Sequence, residues 1–131
     1  MKSQLCLIAA GFFGMTGIIL GALASHALKA HLTLPQLEIF KLGVEYQMYH
    51  ALALLALAIW LRFQPNRLLG LAAGLFIIGI VFFSGTLYGI TCFALPNIGT
   101  APIGGFAFIF GWLVLMVAGF KLKNTNKKIE S

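Results

Sequence analysis

The sequence predicts an all-α integral membrane protein, a bundle of four antiparallel transmembrane helices, and three observations support this prediction. The chain has 131 residues, of which 60% are apolar and 9% are charged, whereas a soluble domain has about 25% charged residues. A soluble domain of this size needs far more polar surface. Residues 68–120 contain no Lys, Arg, Asp or Glu, and this stretch is long enough for two spans of about 20 residues each.

Turn residues and charges delimit the four spans within a single domain, residues 1–131. The first uncharged stretch covers residues 3–25. It is longer than the apolar region of a signal peptide, so we expect a retained helix. The segment 95–105 has two Pro and three Gly and divides the long uncharged stretch. We predict spans at residues 4–26, 39–62, 68–94 and 102–121, and a short basic tail over residues 122–131.

The second span has a polar beginning. Its uncharged part, residues 46–61, is short for a membrane crossing. The span must therefore include Glu45 or Arg62, whose charged group then extends to the membrane interface. Before it, Thr33 is a candidate N-cap, with Pro35 in the first turn. The segment from Thr33 to the span predicts an amphipathic helix at the membrane surface.

The distribution of Lys and Arg predicts the orientation. Four spans place the N-terminus, the second loop and the C-terminus on one side. Seven of the nine basic residues fall there, namely Lys2, Arg62, Arg67, Lys121, Lys123, Lys127 and Lys128, whereas Lys29 and Lys41 fall on the other side. The positive-inside rule therefore predicts that both termini are cytoplasmic. The net charge of +6 reflects this topology and gives no basic recognition face for nucleic acid.

Polar side chains gather in the outer half of the predicted bundle. Ser84, Tyr88 and Thr91 have the spacing that puts them on one face of the third helix. Polar groups inside a membrane are costly, and they usually face the bundle interior and pair with one another. The candidate cluster comprises His26, Lys29, Glu45, Tyr46, Gln47, His50, Ser84 and Tyr88.

Two interpretations of this cluster remain open. We favour helix packing, in which Glu45 pairs with Lys41, Lys29 or His26, because hydrogen bonds commonly join membrane helices. The other interpretation is a site for a proton, a metal or a small ligand. His26, Glu45 and His50 are possible metal ligands, but their spacing matches no metal signature, so we expect neither a metal nor a cofactor. Ser84 lacks the surroundings of a catalytic serine, and no catalytic residue is predicted.

Small residues four positions apart predict close helix contacts. They are Gly17 and Gly21, Gly70 and Gly74, and Gly85 and Gly89. Packing of helix 1 on helix 3 explains them, and self-association is the alternative. Trp112 falls near mid-span, where we expect it to be buried against a glycine. Cys6 and Cys92 fall on opposite sides of the membrane, so no disulfide is expected.

Four blocks of this sequence resemble a known family. They are GALASHALKAHL, EYQMYHALALLAL, FSGTLYG and TAPIGGFAFIFGWL. They are similar, in order, to the recurring blocks of domain of unknown function 423, which includes transmembrane protein 256 of animals. Ser25 stands where that family usually has Gly. The resemblance implies a four-span membrane protein of the bacterial inner-membrane type and no particular activity. It also supports a structural or functional role for the residues that fall within these blocks, namely His26, Lys29, Tyr46, Gln47, His50, Ser84, Tyr88 and Pro102.

For function, the sequence favours an accessory, structural or partner-binding membrane protein without catalytic activity. Its expected partners are the lipid bilayer and either another membrane protein or a second copy of the chain. One alternative is a carrier of protons or small solutes that uses the outer cluster. A second alternative is a metal-dependent membrane enzyme. The expected location is the cell inner membrane.

Overall fold

Four helices of the computed structural model are long and apolar enough to cross a membrane, and this confirms the predicted fold class. The structure describes the backbone of residues 1–130 and the side chains of residues 1–122. The spans are Ser3–Ala30, Leu34–Phe63, Arg67–Phe93 and Thr100–Leu122. Because their number is even, the chain ends at the same end of the bundle where it begins. We call this the terminal end and the other the loop end.

Helix α2 is continuous across its span, and α1 covers most of the first span. Helix α1 is Ser3–Ser25, and the 3₁₀-helix Leu28–Ala30 follows it. Helix α2 is Leu34–Phe63. As the sequence predicts, Thr33 caps α2: its hydroxyl accepts from the backbone N–H of Gln36, whose side chain accepts from the Thr33 N–H. Helix α2 runs without a break from this cap to Phe63. The segment that we expected at the membrane surface and the second span therefore form one helix.

The third span is divided in a way that the sequence did not predict. It consists of α3, Arg67–Gly79, a π-helical segment, Ile80–Ser84, and α4, Gly85–Phe93. A π-helical turn widens the helix locally and often lies at a functional or tightly packed position. The turn ends at Ser84, which is fully buried.

Helix α5, Thr100–Glu130, forms the fourth span and continues beyond its predicted end. The side chains of the predicted basic tail fall mostly outside those that the structure describes. Gly99, at φ 79°, precedes α5. This left-handed conformation strongly favours glycine, and it lets the chain turn from the loop into the last helix.

Helix α2 lies at the centre of the bundle and packs against α1, α3, the π-helical segment and α4, while α5 packs mainly on α3. The predicted packing of helix 1 on helix 3 is wrong. Helix α1 packs along α2, where Gly17 faces the side chain of Met48 and Gly21 faces Val44. The glycines of α1 thus allow close contact with α2 and not with the third span.

Glycines also permit the close approach of the third and fourth spans. At Gly104 an added Cβ would collide with the backbone of Phe83. At Gly111 it would lie 2.6 Å from the ring of Phe76. Of the glycines that the sequence singled out in the third span, Gly70 adjoins the backbone of Met1 and Gly89 adjoins Leu95, whereas Gly74 and Gly85 have open space around them.

Candidate functional site

The side chain of Gln47 joins three helical segments. From α2, its amide Nε2 donates to the Phe13 carbonyl, at 2.9 Å, and to Thr16 Oγ1, at 2.8 Å, both on α1. Its Oε1 accepts from the hydroxyl of Tyr88 on α4, at 2.7 Å. The Thr16 hydroxyl in turn donates to the carbonyl of Phe12. Gln47 is buried, and both of its amide hydrogens and its oxygen are used.

A second contact lies one helical turn from Gln47 and joins α2 to the π-helical segment. The hydroxyl of Ser84 donates to the carbonyl of Gly43 at 2.6 Å. Gly43 has no side chain, and the ring of Tyr88 occupies the space beside it, 2.9 Å from where a Cβ would be. The glycine thus admits both the serine hydroxyl and the tyrosine ring to the backbone of α2. We call Thr16, Gly43, Gln47, Ser84 and Tyr88 the polar network.

His50 lies deeper along α2 in an aromatic box. Its ring is stacked on Phe108 of α5, with centroids 3.6 Å apart and planes 10° apart. The rings of Phe76, Tyr46 and Trp112 also lie within about 6 Å of it. His50 is 4% exposed. Stacking of this kind fixes the plane of the imidazole.

Two hydrogen bonds fix the tautomer of His50. Trp112 Nε1 donates to His50 Nε2 at 3.1 Å, and an indole nitrogen can only donate. His50 Nε2 is therefore the acceptor, and the ring proton is on Nδ1, which donates to the Tyr46 carbonyl at 2.7 Å. The observed arrangement requires the neutral imidazole, because a proton on Nε2 would oppose the indole N–H.

The aromatic box depends on small residues of the neighbouring helices. Phe108 fits over Gly79 of α3, and a Cβ there would overlap its ring. Phe76 fits over Gly111 of α5. Each helix therefore offers one glycine to the phenylalanine of the other, and this reciprocal packing places Phe108 against His50.

The structure brings together five of the predicted cluster residues and leaves out three. Gln47, Ser84 and Tyr88 form the polar network, while His50 and Tyr46 belong to the aromatic box. The remaining three, His26, Lys29 and Glu45, are exposed near the loop end. Lys41 is exposed as well, and among the described residues no hydrogen bond or ion pair joins it to Glu45.

Sequence reasoning missed the other five members of the polar network and the aromatic box, namely Thr16, Gly43, Phe76, Phe108 and Trp112. Thr16 was not among the predicted cluster residues, yet it accepts from Gln47. Trp112 is 48% exposed, so its predicted burial against a glycine is wrong, and it contacts His50 and Phe76 instead. Gly43 gave no signal because its role depends on a helix that packs across it. For Trp112 the available signal was its donor N–H, which requires an acceptor inside a membrane.

The described network is chemically closed. Every buried side-chain nitrogen and oxygen among the described residues has a hydrogen-bond partner. The same part of the chain has no group of three His, Cys, Asp or Glu side chains that could hold a metal ion. Cys6 is buried and donates to the Leu54 carbonyl, and Cys92 is exposed. The arrangement holds helices together and fixes the rings of α2 and α5.

Four apolar spans, joined by the polar network and the aromatic box, define the class of the molecule, a small multi-pass membrane protein. Residues 20–105 match the family described as "Protein of unknown function (DUF423)", and the chain belongs to this family. It is 38% identical over 128 residues to a UPF0382 membrane protein of Haemophilus influenzae, covering 95% of this chain and 99% of that one. The inner membrane protein YgdD of Escherichia coli is 32% identical, covering 99% of this chain and 100% of its own.

The likeness extends to a relative from Staphylococcus aureus. A UPF0382 membrane protein of Staphylococcus aureus is 34% identical over 119 residues, or 90% of this chain and 97% of its own. These relatives are named as membrane proteins of an uncharacterised family. No solved structure matches the chain.

Proposed function

We propose that this protein is a non-catalytic accessory or structural protein of the inner membrane that acts by contact with another membrane protein. The observation that carries this proposal is that every buried side-chain nitrogen and oxygen among the described residues already has a hydrogen-bond partner within the protein. A catalytic or transport site exposes a reactive or ligand-binding group, whereas the buried Gln47 uses both amide hydrogens on α1 and accepts from Tyr88 of α4. The network is suited to fixing helix positions.

Helix α1 supplies the surface for this contact. Only 17% of the residues in its most apolar window are buried, compared with 44% for α2 and for the third span. Its outward face exposes large apolar side chains such as Phe12, Met15 and Ile18. Gly11 and Gly14 have open space around them, so a second helix could approach the backbone closely there.

The proposed location and orientation have separate support. The Escherichia coli relative is named an inner membrane protein. The terminal end of the bundle carries Lys2, Arg62 and Arg67, and a basic end is expected in the cytoplasm. A C-terminal fusion to a reporter that is active only in the periplasm should therefore be silent. Activity of that fusion would overturn the orientation.

Photo-crosslinking in the native membrane tests the contact. A photoreactive amino acid at Ile18 reports on the outward face of α1, and one at Ile109 reports on a face of α5 that is exposed to a similar degree, 66% against 61%. We expect Ile18 to give a discrete protein adduct, from another protein or a second copy, and Ile109 to give far less of it. Equal patterns at both positions would contradict the proposal.

The carrier alternative has a test of its own. It requires flux of protons or a solute into liposomes, which Glu45→Gln should abolish. Glu45 is exposed and lies apart from the polar network, so we expect no such flux from the wild type. Flux that depends on Glu45 would replace our proposal with the carrier function.

A further inference from the structure

A cleft of about 420 Å³ opens at the terminal end of the bundle. It lies where the start of the chain meets the connection between α2 and α3. Its lining includes Lys2, Ser3, Leu61, Asn66 and Arg67. The cleft is separate from the polar network and from the aromatic box.

Contacts between the spans hold the walls of this cleft in place. The hydroxyl of Ser3 donates to the Ala58 carbonyl on α2 at 2.9 Å. The backbone of Met1 rests on Gly70 of α3, where a side chain would collide with it. Asn66 Oδ1 accepts from the backbone N–H of Leu68 at 2.8 Å and thereby caps α3. The starts of α1 and α3 are therefore fixed beside each other.

The cleft is positively charged. Lys2 and Arg67 line it from two different spans, and no carboxylate is among the described residues that line it. Both side chains are exposed, so they are free to contact a ligand. In addition, no side chain caps the first turn of α1, because the residue at the N-cap position is Lys2, whose ammonium group can only donate.

We propose that this cleft binds the phosphate of an anionic phospholipid headgroup. Lys2 and Arg67 stand immediately before the apolar stretches of the first and third spans, and lipid phosphates lie just beyond the ends of such stretches. A guanidinium matches phosphate geometry with two parallel hydrogen bonds, and a lysine adds a point charge. Leu61 gives the cleft an apolar wall on its membrane side.

Native mass spectrometry of the full chain with phosphatidylglycerol tests this site, with phosphatidylcholine as the neutral comparison. The test variant is Lys2→Gln with Arg67→Gln. The matched control is Lys29→Gln with Lys41→Gln, which removes the same charge from two exposed lysines near the loop end. We expect the wild type and the control to retain phosphatidylglycerol in preference to phosphatidylcholine. We expect the test variant to bind phosphatidylglycerol about thirtyfold more weakly.

Three results would overturn the proposal. The first is an equal loss of binding in the test and control variants, which would show a general charge effect. The second is equal retention of the two lipids by the wild type. The third is displacement of the lipid by inorganic phosphate at constant ionic strength, which would show a site for a free anion. If the double variant does not fold, the single variants Lys2→Gln and Arg67→Gln should each bind about fivefold more weakly, and unchanged binding in both would contradict the site.

Discussion

The first and third spans are both strongly apolar, yet they have different places in the bundle. In the third span 44% of the most apolar window is buried, and in the first span 17%. The third span is enclosed by α2 and α5, with Phe76 fully buried and Gly79 under the ring of Phe108. Among the described residues, helix α1 packs mainly along α2, and a groove of about 290 Å³, lined by Phe13, Gln47 and Val81 among others, lies between it and the third span.

This difference teaches that the apolar character of a helix predicts that it crosses the membrane, but not whether it lies at the centre or at the edge of the bundle. Lipid and protein neighbours are both apolar, so they select similar side chains. Helix α2, the least apolar of the four spans, is as buried as the third. Its polar side chains at Gln47 and His50 are compatible with a central position because neighbouring helices satisfy them.

The largest expected effect concerns the enclosed side of the bundle. Gly104→Ala places a methyl group against the backbone of Phe83, which cannot move aside like a side chain. We expect a loss of stability of about 3 kcal/mol or failure to fold. Gly105→Ala is the adjacent control, since nothing lies near that position. Thermal unfolding and the yield of monodisperse protein measure both, and equal behaviour of the two variants would refute the close packing of the third and fourth spans.

A smaller effect is expected where α1 joins the bundle. Gln47→Met keeps the approximate volume and removes three hydrogen bonds. At about 0.6 kcal/mol for each bond between membrane helices, stability should fall by about 2 kcal/mol. Glu45→Gln, on the exposed side of the same helix, should leave the melting temperature unchanged. A larger loss from Glu45→Gln than from Gln47→Met would reverse our assignment of the cluster.

The aromatic box should respond more weakly still. His50→Phe preserves stacking on Phe108 while removing the acceptor of Trp112 and the donor to the Tyr46 carbonyl. We expect a loss of about 1 kcal/mol. In a Trp60→Phe background, the indole N–H proton resonance of Trp112 should move upfield when its acceptor is removed. An unchanged resonance would show that Trp112 does not donate to His50 in the membrane.

The smallest effect is expected on the outward face of α1. Ile18→Ala should change stability by less than about 0.5 kcal/mol, because Ile18 is 66% exposed and lipid contacts replace what it loses. Leu54→Ala, at a fully buried position of α2, is the comparison and should cost about 3 kcal/mol. Unfolding in the same detergent measures both. A cost at Ile18 near that at Leu54 would show that α1 is enclosed in the bundle.

The fold class of four membrane-length helices could be predicted because charge and hydropathy act locally along the chain. The uncharged stretches and the turn segment 95–105 delimit the helices, and Thr33 caps α2 as expected. The sequence placed Gln47, His50, Ser84 and Tyr88 in one polar cluster, which the structure divides between the polar network and the aromatic box. Their residue types are costly in hydrocarbon and must find partners.

The neighbour of α1 could not be predicted in the same way. Gly17 and Gly21 show that a helix approaches closely, but a small residue carries no information about which helix it is. Glu45 was misplaced because its four-residue spacing from Lys41 permits an ion pair without requiring one, and water or headgroups solvate an exposed acid. The π-helical turn at residues 80–84 packs against α2 and α5, and no local sequence pattern predicts it.

The most direct test of this account is a double-mutant cycle between Thr16 of α1 and Gln47 of α2. Stability is measured for the wild type, Thr16→Val, Gln47→Met and the double variant. If the hydrogen bond between these side chains helps to hold α1 on the bundle, the two losses should be coupled by about 0.6 kcal/mol. Strictly additive losses would contradict the account, since Gln47 would then not join α1 to the bundle through Thr16.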